Sequence, residues 1–263
     1  MNIPILMYHK ISGYQPESHS YTISEHMFKQ QLQYLSDNDY CSLLLTEFLS
    51  QLTAGEMTFP ERSVVLTFDD TQASNYTTAL PLLQAYGFKA TFFICTDFIG
   101  KGDDVLNADQ IREMGKLGMS VQSHSHTHAF LNDLSADQIY SELKTSKTIL
   151  EEIISKEVTL LSCPGGRYNE TVLNIAKHVG YKGLCISEPA EKRKDGYVQL
   201  FGRFLIDGKT DLQTFSDIVN MDRTYILKKQ LVYYLKSILK KILGNNLYQK
   251  LWEAAKTSKK MSL

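Results

Sequence analysis

Two short stretches of this sequence carry residue types that can do chemistry together: Thr67-Phe68-Asp69-Asp70 and His124-Ser125-His126-Thr127-His128. The acid pair closes an apolar run, Val64-Val65-Leu66, and the histidines close another, Met119-Ser120-Val121. Two imidazoles spaced as His124 and His128 are, presented from one helix face or from a loop that curls after a strand, form a ligand set for a divalent ion when one carboxylate joins them. Positions for water and substrate stay open. An ion held this way polarises a carbonyl oxygen and lowers the pKa of its water. Successive side chains in extended chain point to opposite faces, so only one of two adjacent acids is expected on the ion. Asp70 is that ligand in our reading, and Asp69 is left beside it to take a proton from the attacking water. The pairing predicts metal-assisted hydrolysis.

Both pairs fall where strands should end. Short apolar runs at Ile3–His9, Val64–Asp69, Ala90–Thr96, Met119–His124, Val158–Cys163, Gly183–Ser187 and Gly202–Ile206 read as strands. Helical periodicity occupies Glu25–Ser36, Leu44–Gln51, Ala73–Tyr86, Asn107–Leu117, Ser135–Ile154 and Glu170–Val179 between them. Strands alternating with helices predict an α/β fold built of parallel βαβ units. About seven strands predict a distorted (β/α) barrel rather than a short open sheet. Ser135 with Gln138 reads as a capping box opening the longest helix, and Gly87 and Gly180 read as left-handed residues closing two others. In such barrels functional groups gather at the C-terminal ends of strands, where Asp69, Asp70, His124 and Pro164 fall.

The chain has 263 residues, enough for a sizeable core, and its formal net charge of −1 argues against bulk attraction to nucleic acid. Four cysteines, Cys41, Cys95, Cys163 and Cys185, are widely spaced without a CxxC, and three of them sit in apolar runs. They read as free thiols in a reducing compartment rather than a disulfide framework. The N-terminal segment has no basic leader, and no run reaches the ~20 apolar residues of a membrane span, so the expected location is cytoplasmic. The last stretch differs. From Tyr225 to Lys260 it carries nine lysines against one acid, Glu253. Leu227, Leu231, Leu235, Ile238, Leu239 and Ile242 recur at helical spacing with lysines on the other faces. We divide the chain into a barrel domain, 1–222, and a basic amphipathic helical tail, 223–263, with a break at Gly244-Asn245-Asn246 and a second short helix around Leu247–Ala255 that includes Trp252. Such a tail packs across the domain, lies on an anionic membrane or docks to a partner.

From about Ile3 to Ile206 the chain resembles the NodB-type polysaccharide deacetylases, carbohydrate esterase family 4. Thr67-Phe68-Asp69-Asp70 is similar to that family's first motif, whose first Asp is the base and whose second is a metal ligand. His124-Ser125-His126-Thr127-His128 is similar to the second, whose outer histidines bind the metal. Pro164-Gly165-Gly166 resembles the third, in which the backbone N–H after the proline holds the oxyanion, here that of Gly165. Pro4-Ile5-Leu6-Met7-Tyr8-His9 looks like the start of many members. The resemblance implies a distorted (β/α) barrel that hydrolyses the N-acetyl group of an amino sugar in a poly- or oligosaccharide or a lipid-linked precursor. It also implies one divalent ion on Asp70, His124 and His128. Zinc is the expected ion, and the same donors accommodate cobalt, nickel or manganese.

Three positions depart from the family pattern. Thr71 stands where glycine is usual. Ser162 stands where many members have an arginine that orients the base, leaving Arg167 or Arg203 as substitutes. No histidine follows His178, so the family's late general acid has no counterpart, and no Asp-x-x-x-Trp feature is present. His9, His126, a ligand histidine or bulk water remain to protonate the leaving amine. His9, His126, Pro164 and Arg203 are the candidates for contact with substrate. Two rivals stand beside the enzyme: a carbohydrate-binding or scaffold protein that kept the metal site but lost the acid, and a metal-dependent phosphoesterase, whose sites usually need more ligands than this chain clusters.

Overall fold

The computed structural model describes residues 3–13, 21–187, 193–195, 198–235 and 238. In chain order the strands are β1 (Ile5–Tyr8), β2 (Lys10–Ser12), β3 (Thr22–Ser24), β4 (Cys41–Leu43), β5 (Ser63–Phe68), β6 (Thr91–Ile94), β7 (Ser120–Ser123), β8 (Leu160–Ser162), β9 (Gly183–Ile186), β10 (Arg193–Asp195), β11 (Val198–Gly202) and β12 (Phe204–Leu205). The helices are α1 (Glu25–Asp37), α2 (Leu45–Ala54), α3 (Leu80–Ala85), α4 (Ala108–Lys116), α5 (Ala136–Ile154), α6 (Glu170–Val179) and α7 (Leu212–Val219).

The main sheet runs β10-β11-β9-β8-β7-β6-β5-β1-β12, with β4 alongside β5. Every pairing in it is parallel except β10 with β11. Its two ends are joined by the chain itself. β11 and β12 are halves of one extended segment broken at Arg203; the first half pairs with β9 and the second with β1. That segment nearly closes a seven-stave (β/α) barrel. The expected strand at Gly202–Ile206 is therefore corrected: pairing starts at Val198 and is interrupted at Arg203. The charge-rich stretch before Val198 obscured the short apolar run Val198–Phe201.

Parallel strands covered on both faces need near-continuous apolar sequence, and β1, β5 and β6 are buried throughout. Ile5, Val65, Phe93, Leu160, Cys185 and Phe201, one from each of six staves, pack with Leu45, Phe48 and Leu49 of α2 into an interior core. A larger core lies between the strands and the surrounding helices. The two-residue period of a strand then fixes what comes next on the inner face. Thr67 and Asp69 follow Val65, Ser162 follows Leu160, and Arg203 follows Phe201. Polar groups thus crown the inside of the barrel at its C-terminal rim.

One expected helix is modified. The single helix expected over Ala73–Tyr86 opens as a π-helical turn, Asn75–Ala79, before α3. Pro81 has no N–H for the carbonyl of Thr77, which is the physical reason for the wider turn. The capping box at Ser135 and Gln138 forms, and Gly87 and Gly180 adopt the left-handed conformation that closes their helices. The small strands β2 and β3, which the sequence reading missed, pair outside the barrel and draw the start of the chain over its rim. Residues 223–235 form a further helix beginning where Asp222 caps the amide of Tyr225 at 2.8 Å. The expected break at Gly244 and the second helix with Trp252 lie outside the described residues. All four cysteines are free, and Cys95, Cys163 and Cys185 are buried.

Gly183 faces the filled interior, where an added Cβ would stand 2.7 Å from Leu160 Cδ2 and 2.8 Å from Phe201 Cε2. Gly183→Ala should therefore destabilise the barrel by about 1–3 kcal/mol through overpacking. Calorimetry should show this as a lower thermal midpoint, and an unchanged midpoint would mean that the interior has room there.

Candidate active site

The acid pair leaves β5 with two different backbones. The Asp69 amide still donates to the Tyr8 carbonyl at 3.0 Å, so Asp69 keeps the strand geometry. Asp70 and Thr71 turn left-handed, with φ of 73° and 54°. Strict strand alternation is thus not what separates the two carboxylates: both converge on one place, and their partners divide their roles. Asp70 Oδ1 lies 3.2 Å from His124 Nε2 and 3.3 Å from His128 Nε2. These three groups are the one His/Cys/Asp/Glu cluster among the described residues fit for a metal ion, with their ligand atoms within 4.8 Å of one another. His124 Nδ1–H donates to the Ser162 carbonyl at 2.8 Å, which orients the ring with Nε2 toward Asp70. The donor chemistry and the ring orientation both fit a divalent cation.

Asp69 is gripped instead. Arg203 Nη1 donates to Oδ1 at 2.8 Å and Nη2 to Oδ2 at 2.7 Å, and the Ser162 hydroxyl donates to Oδ2 at 3.0 Å. Arg203 also reaches the Thr67 hydroxyl at 3.2 Å and the Ser162 hydroxyl at 2.8 Å. A carboxylate has about four acceptor positions; three are occupied, and one is left for a proton. Asp69 Oδ2 stands 4.0 Å from His124 Nε2, beside the ligand set but outside it. Burial pushes the Asp69 carboxyl up, yet the Arg203 guanidinium and the nearby imidazoles outweigh it and hold the group below the usual carboxylate value. Asp70 is likewise held well below that value, burial being outweighed by hydrogen bonds from His124 and His128.

Arg203, expected among the substrate contacts, is only 1% exposed and lies against Asp69 instead. Ser162, where an arginine is usual, leaves space for it and bonds to both partners. Arg167 instead stacks on Phe130, its Cζ 3.8 Å from the ring centroid. Thr71 is accommodated in a left-handed position that favours glycine because its hydroxyl accepts from the Cys95 amide at 2.7 Å and donates to the Cys95 carbonyl at 3.2 Å.

Pro164 is buried and opens a single tight turn, with Gly165 at φ 62° and Gly166 at φ 67°. Proline is covered and Gly165 exposed, so the solvent-facing member of this motif is the glycine. Among the described residues the Gly165 N–H has no acceptor, which leaves it available to a ligand. A Cβ at Gly165 would stand 2.8 Å from the Phe130 ring. His126 turns away: its Nδ1 hydrogen-bonds with the Thr96 hydroxyl at 2.8 Å. His9 joins the site, with Nε2 4.0 Å from Asp70 Oδ2, the oxygen that the ligand histidines do not face. Its ring lies against that of Tyr21, the centroids 4.8 Å apart. Burial lowers the His9 imidazole below its ordinary pKa, against the pull of Asp69 and Asp70. His178 sits on the exposed face of α6 near Tyr140, far in role from the site. Sequence reasoning missed Tyr21, which lies in no periodic segment. It also missed Glu142, whose signal was an acid on the core-facing side of α5.

The geometry can be set beside known proteins. A family profile described as polysaccharide deacetylase matches residues 56–184. YxkH of Bacillus subtilis (strain 168) is 36% identical over 193 residues, covering 73% of this chain and 67% of that one. The chain belongs to the polysaccharide deacetylase family. The poly-beta-1,6-N-acetyl-D-glucosamine N-deacetylase of Staphylococcus aureus (strain MSSA476) is 30% identical over 190 residues, 66% of this chain and 64% of its own length. Among solved structures, the Streptococcus pyogenes deacetylase PplD in complex with acetate superposes with a TM-score of 0.76 and 31% identity, over 83% of this chain and 98% of that chain. For this deacetylase chain the buried Asp69–Arg203 pair is the feature most open to test. Removing one partner of a buried ion pair leaves the other charge uncompensated, so Arg203→Met should cost about 3–5 kcal/mol near neutral pH. Asp69 has a depressed folded-state pKa, so its contribution is full above its unfolded value of about 3.9 and fades as pH falls through the folded value. Denaturant midpoints of wild type and variant should therefore converge in acid; a gap that is constant with pH would contradict the pairing.

Proposed function

We propose that this chain removes N-acetyl groups from an amino-sugar polymer with the help of one divalent ion, zinc first among the candidates. The observation that carries the proposal is a base carboxylate held bidentately by Arg203 immediately beside a two-histidine, one-carboxylate set. The relative that is named a poly-beta-1,6-N-acetyl-D-glucosamine N-deacetylase supports the substrate class.

Asp70, His124 and His128 would hold the ion, which when bound supplies a polarised acyl carbonyl and a more acidic water. Asp69, kept ionised and aimed by Arg203 and Ser162, accepts the proton of the attacking water through its one open acceptor position. The Gly165 N–H donates to the oxygen that becomes negatively charged. The leaving amine needs a proton, and His9 is the imidazole of the site that is not in the ligand set. Its depressed pKa makes a proton placed there easy to give up. His9 thus supplies from the start of the chain what other family members supply near the end, which favours the enzyme over a binding scaffold. Half-exposed Tyr21, stacked on His9, offers a ring to the sugar at the rim.

Asp69→Asn should keep about one bound ion per chain, measured by metal analysis, while acetate release from N-acetylated oligoglucosamines falls about 10²–10⁴-fold. Asp70→Ala should lose the ion. Equal acetate release by wild type and Asp69→Asn would remove the proposal.

A peripheral membrane contact is the second part of this reading. Tyr225 and Ile226 pack on the core, but Leu227, Leu231 and Leu235 beyond them are 65%, 61% and 55% exposed in one helical stripe. Lys228 and Lys229 flank the stripe, and the sequence continues rich in lysine. No described helix is long and apolar enough to cross a membrane. An apolar stripe edged with lysines suits the surface of an anionic bilayer. Truncation after Asp222 should abolish co-sedimentation with vesicles containing phosphatidylglycerol and leave acetate release from soluble oligosaccharides intact; unchanged sedimentation would exclude the contact.

A further inference from the structure

We propose that Glu142 is a positioning residue: by holding the loop between the two histidine ligands, it sets the affinity of the site for its metal. The inference rests on the assignment of Asp70, His124 and His128 as the ligand set.

Glu142 lies on α5 among Ile139, Leu143, Ser146 and Leu150, all of them buried, and is itself only 9% exposed. A carboxylate on a core-facing helix position is costly unless its oxygens are satisfied. Here they are satisfied by one short loop. Oε2 accepts the backbone N–H of His126 at 2.9 Å and of Thr127 at 2.8 Å, and Oε1 accepts the Thr127 hydroxyl at 2.6 Å. The two residues so held lie between His124 and His128, and between two non-glycine residues in the left-handed region, Ser125 at φ 64° and His128 at φ 66°.

Left-handed backbone at a residue with a side chain costs roughly 1–3 kcal/mol and persists only where the surroundings over-determine it. Two segments supply those surroundings: the Thr96 and Asp97 amides donate to the Ser125 and His126 carbonyls at 3.3 and 2.9 Å, and α5 supplies further ties. One turn after Glu142, the Ser146 hydroxyl pairs with that of Ser123 at 2.8 Å, and Ser123 Oγ in turn accepts the Ser125 amide at 3.2 Å. The Ser125 hydroxyl accepts the His128 amide at 3.2 Å. The helix therefore grips the loop at both ends of one turn. Ser123 and Ser125 are neutral partners, whereas Glu142 is a charged acceptor for three donors, the strongest tie in the set. It contacts neither the ligand imidazoles nor Asp70, so its influence passes through the loop: release of the 126–127 amides frees the backbone that aims His128.

Outer residues that orient ligands typically change metal affinity 10–100-fold when altered. Glu142→Gln keeps the shape but puts an NH₂ group where an acceptor is required. Thr127→Val removes a single donor and leaves the carboxylate in place. Zinc affinity should be measured on metal-free wild type and both variants by competition with a chromophoric chelator, together with circular dichroism and thermal midpoints of the metal-free proteins. The expected result is a fall of about 10–100-fold for Glu142→Gln and a smaller fall for Thr127→Val, with the metal-free spectra unchanged. Leu150→Ala, which weakens α5 away from the loop, should lower the midpoint without this loss of affinity. Wild-type affinity in Glu142→Gln, or an equal loss in Leu150→Ala, would overturn the proposal. If Glu142→Gln does not fold, Thr127→Val decides, and wild-type affinity there overturns it. A wild type that binds no zinc would instead overturn the ligand set on which the inference stands.

Discussion

The buried pair of Asp69 and Arg203 is the constraint around which the rest of the molecule is arranged. A carboxylate that is almost wholly buried survives as an anion only if a cation and hydrogen-bond donors replace the water it has lost. Arg203 supplies two parallel donors and Ser162 a third. The guanidinium comes from the point where the closing strand breaks between β9's partner and β1's partner, so the same residue interrupts the sheet and completes the site. The remaining network follows from this placement. Thr67 supports the guanidinium from one side and itself donates to the Leu6 carbonyl of β1 at 2.7 Å, while the Ser162 carbonyl orients His124.

Around that pair the site is built from backbone that is locally unfavourable. Asp70, Thr71, Ser125 and His128 all carry side chains in the left-handed region, and each is restrained by a neighbour's hydroxyl, amide or carboxylate. This is the usual structural form of preorganisation: groups that must converge are held there by their supports before any substrate arrives. The rim, by contrast, is assembled from pieces outside the barrel. His9 leaves β1 and Tyr21 precedes β3, and the parallel pairing of β2 with β3 holds that corner of the chain together.

Much of this was legible in the residue order. The apolar runs ending in Asp69-Asp70 and His124 show strand ends because burial on both faces forces continuous apolar sequence, and the ligand set follows from the type and spacing of its members. Arg203 as orienter was readable only as one of two substitutes, because 134 positions separate it from Asp69 and nothing local marks the pairing. The strand from Val198 was obscured by charged neighbours, and the π turn depends on a proline whose effect reaches back one turn. Alternation was the misleading signal. It assigns adjacent acids to opposite faces, but the left-handed turn at Asp70 cancels that rule at the one place where chemistry needs both. Glu142 illustrates the general limit: an acid on the core side of an amphipathic helix is visible, but its partners are not.

The closing strand also has a consequence for the order in which the molecule acquires its parts. Residues 6–7 and 204–205 become neighbours only when the last stave docks on the first, a contact across nearly the whole domain and among the most expensive in loop entropy. Until then the inner end of β5 carries an anion with no cation beside it, which disfavours early burial of that end. Docking of β12 brings Arg203 to Asp69 in the same event. Barrel closure and the pairing of Asp69 with Arg203 thus come together, and a ribosome that has not yet released residue 205 holds a chain in which Asp70, His124 and His128 are all synthesised but Asp69 still lacks its partner.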